Sequence, residues 1–374
     1  MNLLFCEPNP SFGGGSEQVC LDLARWLAAR GHGIKLVHDT AGSMLPAYTA
    51  FGAQTQQMEL RPFGWRTLGA SLRRARRIGR VARAAESNVI VCSELHYLRL
   101  LALASWLSGI PVLFHLGLPA THREWSWLRA YQTVRAGVAP SAHTLKTWRD
   151  SGWPAGTLTE IPNGVDASRF RPVADKAALR TQLGLPVNAT LINHTARLSP
   201  RKGTETLIAA FARLQTALPE SVLMLVGKDE LPAGHWDRRV AELGIPPARV
   251  KFLGARPNPE AFMAAADLVV AASEWEEPFG LTLIEAMACG VPVITSEIGM
   301  LPQLLGPGQA DRVVRPGDVA GLARAIEQAL KQPVAGEGAA LRARVLENFS
   351  LDRACAGYEK VLLRIHPAAP GRPQ

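Results

Sequence analysis

Apolar and polar residues follow two alternating rhythms along the chain. Short apolar runs occur at Asn2–Glu7, Ile34–Val37, Val89–Cys92, Pro111–Phe114 and Gly137–Pro140. Each has the length and composition of a buried strand. Between them, Val19–Arg30 carries Leu21, Ala24, Leu27 and Ala28 at helical spacing, and Ser141–Arg149 opens another helix. The alternation then restarts. Thr190–Ala196, Val222–Val226, Val250–Leu253, Asp267–Ala271 and Val291–Thr295 read as strands. Thr204–Leu218, Ala261–Ala266 and Leu281–Cys289 read as helices. Strand, helix, strand in repetition builds parallel sheets with helices on both faces. A chain of 374 residues that runs through this pattern twice suits two α/β domains. Leu98–Leu118 is apolar enough to imitate a membrane span, but Ser108-Gly-Ile-Pro111 breaks it, and Arg99 and His115 lie within it. A buried helix followed by a buried strand is expected there.

Composition narrows the class. An apolar content of 47% is that of a soluble globular protein. Cys6, Cys20, Cys92, Cys289 and Cys355 are scattered, with no CxxC pair, so reduced thiols and a cytoplasmic setting are expected. MNLLFCEPNP lacks the basic start and long apolar run of a signal peptide. His366–Gln374, reading HPAAPGRPQ, is expected to be a loose tail.

The formal charge is +9. Residues 1–167 hold 17 Lys and Arg against 11 Asp and Glu, and the remainder 24 against 21, so the first half is the more basic. Leu72–Arg83 holds Arg73, Arg74, Arg76, Arg77, Arg80 and Arg83. Such a run is most often a solvated helix face. Its functional reading is peripheral contact with an anionic membrane at the inner face, at about 1 kcal/mol per well-placed basic residue. The apolar side, Leu72, Ala75, Ile78 and Ala82, is too thin to anchor alone. Nucleic acid is not expected as a partner, because no binding motif accompanies the run.

Candidate chemistry concentrates in Ser273–Ser296, SEWEEPFGLTLIEAMACGVPVITS. Pro278 keeps a helix from running in, Gly280 frees the turn, and Gly290 and Pro292 end the helix that follows. The helix start at Gly280-Leu281-Thr282 is a natural phosphate site, with Glu277 before it and Glu285 about one turn beyond. Carboxylates flanking a phosphate suit ribose and sugar hydroxyls. An ordinary amphipathic helix with a solvated Glu fits the pattern equally well. Two further loops follow strands. Phe12-Gly-Gly-Gly-Ser-Glu17 lacks the third glycine of a dinucleotide fingerprint. Arg197-Leu-Ser-Pro-Arg-Lys202-Gly203 puts cations beside a helix start, where they are either solvated or cradle an anion. His115, and Glu94 with His96, lie at expected strand ends, which line the ligand crevice in open α/β sheets. His96 and His122 are more simply structural, and Trp125 and Trp127 suit sugar stacking, a bilayer interface or core packing.

EPFGLTLIEAMACGVPV, with seven residues between Glu277 and Glu285, closely resembles the signature of the retaining nucleotide-sugar glycosyltransferases of family four. The resemblance implies the GT-B fold: two Rossmann-like, doubly wound domains facing a central cleft. Residues 1–166 would form the acceptor-side domain, joined by a closing helix at 350–365, and 167–349 the donor-binding domain. Ile161-Pro-Asn-Gly-Val-Asp166 is similar to the family's crossing between domains. By the same resemblance, Gly14 and Gly15 admit the donor's phosphates or sugar, and His115 faces the donor sugar. Arg197 and Lys202 bind its diphosphate. Glu277 positions sugar hydroxyls and stabilises positive charge, and Glu285 holds the ribose. Phe279, Gly280, Leu281 and Thr282 complete the substrate-binding set. Two loops depart from the family. Lys228-Asp-Glu230 replaces a Gly/Pro-rich continuation near the nucleotide base. Met300 and Gln303 stand where a glycine and a Glu are common, and no role is given to that loop.

The resemblance implies transfer from a nucleoside-diphosphate sugar with retention of configuration, and the basic first half points to a glycolipid or polysaccharide precursor as the glycan acceptor of the hexosyl unit. A donor phosphate oxygen would take the acceptor's proton. No cofactor or metal is expected: there is no DxD motif, and Arg197, Lys202 and the helix start supply positive charge to the leaving group. Rival readings are a small soluble acceptor and a non-catalytic nucleotide-sugar binding module. A glycosidase fits less well, since a phosphate-type helix start separates Glu277 from Glu285.

Overall fold

The computed structural model describes residues 1–12, 14–120 and 134–366. It divides into two compact units, 1–164 with 352–374, and 165–351.

The first unit is built on seven parallel strands: β1 (Asn2–Cys6), β2 (Gly33–His38), β3 (Gln54–Gln57), β4 (Val89–Cys92), β5 (Val112–His115), β6 (Ala136–Ala139) and β7 (Leu158–Glu160). Their order is β3-β2-β1-β4-β5-β6-β7. β1 pairs with β2 through Leu3↔Ile34 and with β4 through Leu3↔Val89. The winding reverses between β1 and β4, so Glu7 and Ser93 stand at the switch point, where doubly wound sheets bind ligands. β1, β4, β5 and β6 are almost wholly buried, as both faces are covered by helices. The polar edge strand β3, Gln-Thr-Gln-Gln, has no apolar rhythm to announce it.

The first helix runs Gly15–Ala29, four residues longer at its start than its apolar pattern predicts. Glu17 lies in its first turn, where a carboxylate favours the positive helix end. The helix Leu68–Ala84 turns Ala75, Ile78 and Ala82 into the core, and Gly79 packs beside Ser108 of the helix Leu98–Ser108. Arg73, Arg76, Arg77, Arg80 and Arg83 face outward, while Arg74 pairs with Glu59 at 2.8 Å. The apolar run that imitates a membrane span is thus a buried helix and strand, and no helix among the described residues is long and apolar enough to cross a membrane. The helix Leu351–Ile365 completes this unit. Asp352 accepts from Trp26 Nε1 at 2.7 Å, and Glu359 pairs with Arg30.

The second unit has six parallel strands: β8 (Thr190–Thr195), β9 (Ser221–Val226), β10 (Val250–Gly254), β11 (Leu268–Ala271), β12 (Val293–Ser296) and β13 (Val313–Val314). Their order is β10-β9-β8-β11-β12-β13. Alternate residues feed two cores. Leu191, Val222, Met224 and Val269 pack against the helices Pro259–Ala265, Leu281–Ala288 and Glu337–Asn348. Ile192, Leu223, Leu225 and Val270 pack against Thr204–Arg213, His235–Glu242 and Val319–Lys331. This two-sided burial explains the continuous apolar runs. The helix expected over Thr204–Leu218 ends earlier, at Arg213. The switch point here lies between β8 and β11.

Candidate active site

The second unit gathers its chemistry where β8, β11 and β12 end. Gly203 adopts φ +68°, and a Cβ there would come within 1.8 Å of the Ala272 carbonyl oxygen. Only glycine lets the loop Arg197–Gly203 close on the end of β11. The Glu274 amide donates to the Arg201 carbonyl at 2.9 Å and ties the same two segments. Lys202 is thereby placed against Glu277, and its ammonium pairs with Glu277 Oε1. The same oxygen accepts from Ser273 Oγ at 2.7 Å. Oε2 of Glu277 has no partner among the described residues.

The backbone of Glu277 is held by Ile298-Gly-Met300, part of the loop left without a role above. The Met300 amide donates to the Glu277 carbonyl at 3.4 Å. Gly299, at φ +54°, approaches so closely that a Cβ would lie 2.3 Å from that oxygen. A lone glycine just after a strand was the only signal for this support, and for Ser273 there was none.

The helix Leu281–Ala288 follows Gly280, whose carbonyl receives the Leu283 and Ile284 amides. Amides ahead of that first bond lack intrahelical partners, and the dipole adds positive potential. Thr282 and Glu285 are half-buried on this helix. Phe279 is turned inward, its ring 5.8 Å from that of Phe349, so only its backbone can face a ligand. Leu281 likewise packs on the core. Arg197 does not join the Lys202–Glu277 pair: its guanidinium binds Glu230 at 2.6 Å. That partner lies in the Lys228-Asp-Glu230 segment, where the sequence departs from the family pattern. His194 was missed altogether. It is buried on β8, and its Nδ1 donates to the Val270 carbonyl at 2.9 Å. Burial lowers its pKa to about 4, leaving a neutral ring.

The first unit makes a second cluster. Gly14 caps the helix Gly15–Ala29 in an extended conformation. His115, at the end of β5, is buried, and its Nδ1 lies 2.6 Å from the Tyr358 hydroxyl. Burial lowers the His115 pKa to about 4, so the imidazole is neutral at physiological pH. Gly117 joins loop and histidine: a Cβ there would stand 2.2 Å from Ser16 Oγ and 3.1 Å from His115 Nε2. The glycine loop and His115, about a hundred residues apart, therefore come together around Gly117. Nearby, Glu7 is buried and receives Ser93 Oγ at 3.2 Å on both oxygens, and burial raises its pKa to about 8. His96 is exposed. Gly13, His122, Trp125, Trp127 and the tail beyond His366 lie outside the described residues. Among the described residues, no group of three or more His, Cys, Asp or Glu is placed to hold a metal ion.

Comparison with known proteins identifies the family. The Glycosyltransferase Family 4 model matches residues 13–169, and the Glycosyl transferases group 1 model matches 175–348. The chain belongs to the nucleotide-sugar glycosyltransferases of family four. Its GT-B fold is shared with the crystal structure of Anabaena HepE in complex with UDP and glucose. That likeness has a TM-score of 0.84 and 26% identity, over 97% of this chain and 100% of the other.

Among curated family members, the chain is 32% identical to the GDP-mannose-dependent monoacylated alpha-(1-6)-phosphatidylinositol monomannoside mannosyltransferase of Corynebacterium glutamicum. That match covers 56% of this chain and 57% of the relative. It is 36% identical to a D-inositol 3-phosphate glycosyltransferase of Stackebrandtia nassauensis, over 46% of this chain and 40% of the relative. The chain thus spans about half the length of the curated glycosyltransferases it matches.

Proposed function

We propose that this family-four protein is a retaining hexosyltransferase. It moves a sugar from a nucleoside diphosphate to a glycolipid or cell-surface polysaccharide precursor. The observation that carries this reading is the cluster of Lys202, Glu277 and Ser273 beside the helix start Gly280–Thr282. In this reading the diphosphate replaces Glu277 as the partner of Lys202. The freed carboxylate then turns to the sugar hydroxyls and to the positive charge that develops as the glycosidic bond breaks. The helix-start amides and Lys202 stabilise the departing diphosphate, and Arg197 joins them by leaving Glu230. Glu285 holds the ribose. His115, with Gly14 and Gly15, is assigned to the donor's sugar or phosphates by the family resemblance. The acceptor hydroxyl attacks on the leaving-group face and passes its proton to a diphosphate oxygen, with neither metal nor cofactor.

Structures of Anabaena HepE with UDP and with UDP-glucose support a nucleotide-sugar donor. The Corynebacterium mannosyltransferase, named for a phosphatidylinositol mannoside, supports a lipid acceptor. So does the outward arginine face of the helix Leu68–Ala84, which suits peripheral contact with anionic lipid on the cytoplasmic side. Thermal-shift measurements with UDP-glucose, GDP-mannose, UDP and GDP test the donor site, followed by hydrolysis of any stabilising sugar nucleotide. Stabilisation by at least one is expected, and none by any of the four would overturn the assignment.

A further inference from the structure

His115 and Tyr358 lie 243 positions apart in sequence, yet their polar atoms meet at 2.6 Å inside the first unit. Both side chains are buried and neutral: burial lowers the imidazole to about 4 and raises the phenol well above 10. A neutral imidazole carries one ring proton, and the bond to Tyr358 decides which nitrogen holds it. If Nδ1–H donated to the phenol oxygen, the phenol proton would be stranded, because Nδ1 is the one recorded partner of that hydroxyl among the described residues. A buried orphan O–H costs about 1–3 kcal/mol. If instead the phenol donates to Nδ1, the ring proton sits on Nε2. That atom is buried and has no partner among the described residues. It borders the space over Gly117, with Ser16 Oγ also beside it. Either tautomer leaves one buried proton without a partner in the unliganded protein; with the phenol donating, that proton sits on Nε2, beside Gly117 and the Ser16 hydroxyl of the glycine loop.

We propose that Tyr358 is a positioning residue for sugar transfer: it donates to Nδ1 of His115, fixes the Nε2–H tautomer, and so aims a hydrogen-bond donor at a sugar or phosphate oxygen over Gly117. The Ser16 hydroxyl, uncommitted among the described residues, is a second partner for that oxygen. A site preset in this way holds its donor in place before substrate arrives. The inference rests on reading His115 as a ligand-facing residue.

Histidine side-chain ¹⁵N NMR on the full chain tests it, with the His115 signal assigned by its loss in His115→Gln. The wild type is expected to show the Nε2–H form. In folded Tyr358→Phe the signal should move toward the Nδ1–H form. With UDP-glucose or GDP-mannose, whichever is turned over, kcat in Tyr358→Phe should fall about tenfold and KM change less than about threefold, the pattern of an interaction that strengthens in the transition state. A wild-type Nδ1–H tautomer overturns the proposal whether or not the variant folds. An unchanged tautomer in folded Tyr358→Phe overturns it as well. Full activity in His115→Gln would instead remove His115 from the site, a failure separate from the tautomer result.

Discussion

Ser273 Oγ lies 2.7 Å from Glu277 Oε1, the same oxygen that Lys202 engages. One carboxylate oxygen thus takes both of these partners, and no hydrogen bond to Oε2 is seen among the described residues. Glu277→Gln should lower turnover by about 10²–10³, the loss typical of one preorganised group at developing charge. The pair is partly solvated, so its removal should shift stability by no more than about 1 kcal/mol. Steady-state kinetics paired with denaturant unfolding checks both. A large loss of stability with intact turnover would make Glu277 structural.

Gly299 tests the support beneath Glu277. Gly299→Ala combines φ +54° with a contact of 2.3 Å to the Glu277 carbonyl. The strained conformation costs about 1–2 kcal/mol, and the clash displaces Glu277. Turnover should drop by more than the stability loss accounts for at a temperature where the variant is fully folded. Wild-type turnover under those conditions would separate the loop from catalysis.

The buried carboxyl of Glu7 gives a pH signature. Its folded pKa of about 8 stands above the ordinary value of 4.5. Between those values the folded protein keeps a proton that the unfolded chain has released. Stability is therefore present in full at low pH and falls as pH rises, by up to about 1.4 kcal/mol per unit. His115 and His194, lowered to about 4, act oppositely, and their effect fades over about one pH unit above their unfolded value of 6.5. The difference between wild type and Glu7→Gln isolates Glu7, because the histidines are common to both. Urea unfolding should show wild-type stability changing more steeply in the downward direction than that of Glu7→Gln as pH rises from about 5 to 8. Parallel slopes would contradict the assignment.

The arginine face offers a binding test. Arg76, Arg77 and Arg80 are exposed, and among the described residues only Arg77 of the three has a charged neighbour shown, Glu59, whose carboxyl it helps Arg74 to hold down. At about 1 kcal/mol each, replacing all three with Ala should weaken binding to phosphatidylserine vesicles about 100-fold at low salt. Neutral phosphatidylcholine vesicles should bind wild type and variant equally weakly. Equal wild-type binding to both lipids removes the membrane from the proposal.

Strands such as Val89–Cys92 were legible because two-sided burial makes the whole run apolar. β3 was not: its four residues are polar, and pairing with β2 makes it a strand. Similarly, Lys202 and Glu277 stood out in the sequence through the family motifs their segments resemble, whereas Gly299, Ser273 and Tyr358 make approaches that only folding creates. Phe279 shows the converse. It sits inside the signature, yet its ring belongs to the core. Arg197 falls between these cases: its loop is readable, but its pairing with Glu230 depends on a segment unlike the family pattern.

The helix Leu351–Ile365 packs into a unit whose strands all come from the first 164 residues. During synthesis, that early sheet must wait while Val165–Leu351 is made. At about 5–20 residues per second, this lasts on the order of ten to forty seconds. Through that interval the phenol that meets His115 does not yet exist, and the surface later covered by Cys355, Tyr358 and Leu362 stays uncovered. His115 therefore meets its hydroxyl partner only after Val165–Leu351 has been translated.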